Sequence, residues 1–142
     1  MTSIRPWRDI ERRESRQIMR SNGDGAKPLW VTEITLPASR GKTRVGYRCG
    51  GHQGLHCSLL QTTDAGMARF LTASYATLAG KAHKLGIGRI YWYDWASRYA
   101  ARGKDNLVDF DYAGLIKWRG GSAFTRKPAY GAFVNALRRY EG

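Results

Sequence analysis

The chain contains no run of about 18 apolar residues, the length that marks a membrane-spanning helix, so nothing in it is expected to cross a membrane unaided. Its amino terminus also lacks the apolar stretch of a secretory signal, and its localisation stays open. Acidic residues are scarce: 11 Asp and Glu stand against 24 Lys and Arg, a formal net charge of +13. The Arg-rich opening would suit an organelle transit peptide, but Asp9, Glu11 and Glu14 conflict with the acid-poor composition such peptides need. There is no low-complexity tract and no internal repeat beyond an alternation of strand-like and helix-like stretches.

What is present suffices for one globular unit, since 42% apolar and 12% aromatic content exceeds that of a disordered chain. Residues 1–27 read as a basic segment with a helix over Arg8 to Ser21, stopped by Asn22-Gly23-Asp24-Gly25. Residues 28–142 read as strand, long loop, helix, strand, long loop, helix. The first strand is Leu29 to Thr35, a β-prone run with one acid, Glu33, and Ala38 to Gln61 follows it as a loop. Met67, Phe70, Leu71, Tyr75, Leu78, Ala82 and Leu85 then recur at helical spacing, with Thr63 or Asp64 to cap the start and Gly86 to end the helix. Ile87 to Trp95 is apolar on both faces, as in a parallel strand covered on both sides. Ala96 to Thr125 reads as a second long loop, with a short strand around Tyr112 to Trp118. Pro128 opens a closing helix with Tyr130, Phe133, Val134 and Leu137 on its inner stripe. Helix followed at once by a two-sided strand predicts a βαβ unit and an α/β fold.

In βα units, ligand chemistry collects at the carboxyl ends of the strands and in the loops after them. Glu33 falls near one such end and Asp94 near the other, with Trp92, Tyr93 and Trp95 beside it. Carboxylates next to indole rings suit carbohydrate chemistry: the acids handle protons and oxocarbenium-like charge, and the rings stack on the C–H faces of a sugar. Each residue also has an ordinary reading, in which Glu33 is a strand-end acid paired with one of 17 Arg residues, Trp92 is core packing, and Asp94 orients its neighbours.

Leu29-Trp30-Val31-Thr32-Glu33-Ile34 resembles the W-x-T-E segment on the seventh strand of retaining clan A (β/α)8-barrel glycoside hydrolases, where the Glu is the nucleophile. Ile90-Tyr91-Trp92-Tyr93-Asp94-Trp95 resembles their eighth strand, whose Trp lies under the bound sugar. Phe110-Asp111-Tyr112-Ala113-Gly114-Leu115-Ile116 and Arg126-Lys127-Pro128-Ala129-Tyr130-Gly131-Ala132-Phe133 resemble the closing segment of these enzymes, a glycine-leucine step before a K-P-A-Y-x-A-F helix. The resemblance runs from about Asn22 to the end. It implies a partial TIM barrel made of the last two βα units with a preceding helix, carbohydrate as ligand, no cofactor or metal, and a parent family often found outside cells. The family's acid/base, a Glu usually preceded by Asn on the fourth strand, has no counterpart here, because the chain holds no Asn-Glu pair and a full barrel needs about 250 residues. The expectation is a glycosidase-like protein with Glu33 as nucleophile, inactive alone, whose remaining strands come from another chain or a homo-oligomer.

Three features stay outside that reading. Cys49, His52, His56 and Cys57 lie within nine residues. The adjacency of His56 and Cys57 disfavours a shared metal, so a Cys49–Cys57 disulfide is preferred to a zinc site, with free thiols as the other possibility and His52 and His56 as candidate cleft residues. The charge of +13, with aromatics interleaved among Arg, supports an alternative as a nucleic-acid- or anionic-polymer-binding protein. A third alternative is an assembly partner whose open sheet edges pair with another chain.

Overall fold

The computed structural model describes residues 9–40, 61–97, 109–118 and 121–140. The predicted first helix is present as α1, Asp9–Ser21. Strand β1, Leu29–Ile34, and strand β2, Ile87–Trp92, flank helix α2, Asp64–Leu85, and pair in parallel, which makes β1-α2-β2 the expected βαβ unit. The caps of α2 follow from its sequence. Thr63 Oγ1 accepts from the Gly66 N–H at 3.1 Å, and Gly86 takes the left-handed conformation (φ 60°) that lets its own N–H close on the Ala82 and His83 carbonyls.

α2 buries Met67, Leu71, Tyr75 and Leu78, the stripe its spacing predicts. Each fully buried side chain of this size contributes about 1.5–3 kcal/mol relative to an exposed one. Helix α3, Pro128–Tyr140, begins at Pro128 and packs on α2. Its inner face differs from the expected stripe. Ala129 and Ala136 are its buried residues, with Phe133 and Tyr130 packed beside them, whereas Val134 and Leu137 are only half-buried. Small residues let α3 approach α2 closely enough for the Phe133 ring to meet Tyr75 edge-on, with centroids 5.8 Å apart.

One arginine fastens the amino-terminal helix. The Arg16 guanidinium donates from Nε to the Leu85 carbonyl at 2.9 Å, from one terminal nitrogen to Gly86 O at 2.9 Å, and from the other to Lys27 O at 2.7 Å and Gly25 O at 3.3 Å. It thereby satisfies carbonyls at the end of α2, where a cation is also favoured by the helix dipole, and holds the turn that leads into β1.

Three expectations need correction. Among the described residues there is no barrel: the strands form a two-stranded sheet, β1-β2, and a separate three-stranded sheet. That second sheet consists of β3 (Ala96–Ser97), β4 (Ile116–Trp118) and β5 (Phe124–Arg126), with β3-β4 parallel and β4-β5 antiparallel; β4 falls within the short strand expected over Tyr112 to Trp118, while β3 and β5 stand where only loop was expected. β2 ends at Trp92 rather than Trp95 and, among the described residues, is covered on one side only. Ile90 and Trp92 pack toward the core of α2 and α3, while Arg89 and Tyr91 are exposed. A run apolar on both faces predicts two covering layers, and the described residues supply one.

Candidate functional site

The parallel pairing brings the carboxyl ends of β1 and β2 side by side, with Ile34 opposite Trp92 and the Tyr93 N–H donating to Ile34 O at 3.0 Å. The register shifts between Val31 and Ile34, where β1 holds one residue more than β2. Thr32 and Glu33 both face solvent at this irregularity, breaking the alternation that Trp30 and Val31 follow. An extra residue in a strand re-aims its side chains, and here it turns the Glu33 carboxyl group outward.

Asp94 follows directly, half-buried, after a cis peptide bond from Tyr93. Its carboxylate accepts from the Trp95 N–H and its carbonyl from the Leu115 N–H at 3.1 Å, so both acceptors hold the chain where it leaves β2 for β3. Tyr93 is exposed and meets Phe110 edge-on with centroids 6.1 Å apart. Trp95 is 55% exposed and leans on Tyr130, whose ring carries the Arg126 guanidinium 4.7 Å from its centroid. These three side chains form a ledge against the start of α3, an edge-on aromatic pair with a cation over the Tyr130 ring.

Trp92 points the other way. Its ring lies edge-on to Phe70 at 6.3 Å and its Nε1–H donates to the Ala113 carbonyl at 3.2 Å, which makes it a core residue with its one polar atom satisfied. The structure therefore sets Glu33, Tyr93 and Asp94 at the ends of neighbouring strands, leans Trp95 on Tyr130 of α3, and packs Trp92, half-buried, against the core. Cys49, His52, His56 and Cys57 lie outside the described residues. Among the described residues no cluster of three His, Cys, Asp or Glu side chains could hold a metal ion.

Beneath the strand ends sits a polar knot. The Lys127 ammonium, with a side chain shielded completely from solvent, donates to Tyr112 O at 2.7 Å and Ser97 Oγ at 3.1 Å, touches Met67 Sδ at 3.7 Å, and faces Asp64 at 3.6 Å. Asp64 also pairs with Lys117 at 3.1 Å. The sequence signal for Lys127 was its place directly before Pro128, in a motif quoted only for its helix. The knot joins the start of α2, β3, the turn Asp109–Tyr112 and the start of α3 at one point.

No protein-family model, curated protein or solved structure matches this chain.

Proposed function

We propose that the chain is the carboxy-terminal part of a retaining glycoside-hydrolase barrel, in which Glu33 is the nucleophile and the acid/base comes from polypeptide outside these strands. The observation that carries this reading is the position of Glu33: solvent-facing, at a register shift, at the carboxyl end of a parallel strand whose neighbour ends beside it. That is where a carboxylate must stand to attack a ligand held across strand ends. The order of the W-x-T-E, Y-W-Y-D-W and K-P-A-Y-G-A-F segments adds to it.

In this mechanism a Glu33 carboxylate oxygen forms a bond to the anomeric carbon as the bond to the leaving-group oxygen breaks, giving a glycosyl-enzyme ester. A water activated by the acid/base then releases the sugar with its original configuration. The partner carboxyl group must stand about 5–5.5 Å from Glu33. β1 pairs only with β2 among the described residues, so its other edge suits an added strand, from the same polypeptide or another.

The test uses 2-deoxy-2-fluoro glycosides with a dinitrophenolate leaving group, which departs without protonation and so does not need the acid. A glycosyl adduct mapped by peptide mass spectrometry to Glu33, and not to the other acidic residues, supports the assignment. Adducts spread over exposed acids, or none across a panel of sugars, remove it.

A further inference from the structure

A strand covered on both sides, as the sequence predicts for β2, would keep its aromatics from any polyanion. The open face of the β1-β2 sheet reverses that argument. Trp30 is 58% exposed and Tyr91 44% exposed, and their rings lie 6.4 Å apart and tilted by 53°, so they present separate stacking faces. The register partner of Trp30 is Arg89, exposed and without an ion pair among the described residues. Two exposed aromatic rings and an exposed guanidinium on one sheet face, in a chain of net charge +13, combine the components of a single-strand platform: π-surfaces that accept any base and a cation for the phosphate.

We propose that this face, built on Trp30, Tyr91 and Arg89, binds single-stranded nucleic acid without sequence preference. The site belongs to the open sheet: α2 and α3 cover the other face, so closing a barrel on β1 and β2 would turn this one inward, and the nucleic-acid reading stands independently of the barrel reading. Trp30 is the second residue of β1 and Glu33 the fifth, so about 10 Å of strand lies between them at about 3.3 Å per residue. A neutral glycan would stack on the rings but gain nothing from Arg89 or from the excess charge. A strand carrying one phosphate per nucleotide uses both.

The probe is a fluorescein-labelled 20-nucleotide oligothymidine, titrated with the full chain and read by anisotropy between 50 and 300 mM NaCl, with dextran sulfate as a competitor that has charge but no bases. Binding is expected to weaken linearly in log–log salt, with a slope of about −0.7 per phosphate neutralised. Trp30→Ala and Tyr91→Ala should each weaken binding at least about tenfold. Arg89→Glu should weaken it and flatten the slope more than Arg138→Glu, the same charge change on the exposed end of α3. All four positions are exposed, and an unchanged thermal midpoint confirms that each variant is folded. The proposal is overturned by absence of binding at 100 mM NaCl, by wild-type affinity in either aromatic variant, or by equal effects of the two charge reversals. It is likewise overturned if Trp30→Ala leaves oligonucleotide affinity intact and instead abolishes concentration-dependent self-association, which would make the face a protein contact. Adduct formation at Glu33 tests the barrel reading separately, so failure of either proposal is distinguishable from failure of the other.

Discussion

Lys127 Nζ lies 3.1 Å from Ser97 Oγ, a lysine side chain with no solvent exposure beside a serine with none. Burying an ammonium is costly unless its donors are used, and here Ser97, the Tyr112 carbonyl and Asp64 take them. Lys127→Ala is expected to destabilise the fold by about 2–4 kcal/mol, since it leaves a cavity and strips a charged donor from buried acceptors. Lys127→Met, which refills the volume, should cost less. Urea unfolding of both variants checks the order; an exposed, dispensable lysine would give two small and equal values.

Gly114 admits no side chain. A Cβ there would stand 2.0 Å from the Ser97 amide nitrogen and 2.2 Å from the Ala96 carbonyl carbon, both backbone atoms that cannot step aside. Gly114→Ala should therefore force β3 away from β4 and cost more than about 3 kcal/mol. Gly131→Ala, on α3 where nothing lies within 4 Å, should be neutral or stabilising by up to about 1 kcal/mol. Thermal midpoints of the pair would separate close packing from a general intolerance of substitution.

Arg16 and Gly86 are coupled. A Cβ at Gly86 would meet Arg16 at 1.8 Å and would also sit at a positive φ. Gly86→Ala thus carries two penalties, strain at the helix end and expulsion of the guanidinium, and only the second disappears when Arg16 is already absent. A double-mutant cycle with Arg16→Ala should show an interaction energy of about 1–2 kcal/mol. Strict additivity would mean that the arginine contributes nothing at that carbonyl.

Trp92 and Glu33 make opposite demands. Trp92→Phe keeps a ring against Phe70 but leaves the Ala113 carbonyl without its donor, at an expected cost of about 1–2 kcal/mol. Glu33→Gln, at an exposed position, should change stability by less than about 0.5 kcal/mol. Chemical denaturation of the two variants would show whether the tryptophan belongs to the core and the glutamate is free of structural duty.

The parts legible in the sequence are those with local signals. α2 announced itself through its apolar period, Thr63 and Gly86, and the adjoining β-prone runs gave the parallel pair. β4 lies within the short strand expected over Tyr112 to Trp118, but β3 and β5 had no signal, because strands of two or three residues have no period to detect and arise from pairing across distant segments. The side of β2 that each aromatic occupies was equally hidden: Tyr91 and Trp92 are neighbours of similar character, and only α2 and α3 decide which one is buried. The burial of Lys127 had no local signal, because lysines are seldom buried and its partners come from three other parts of the chain.

The hydrogen bond from Arg16 to Gly86 spans 70 residues. Closing a loop of that length costs about 4 kcal/mol in chain entropy before any contact compensates, so this link is expected to form after α2 and β2 have condensed, beyond the folding barrier. Its loss should then accelerate unfolding while leaving the refolding rate nearly unchanged, so that the lifetime of the attached amino-terminal helix is set by one side chain.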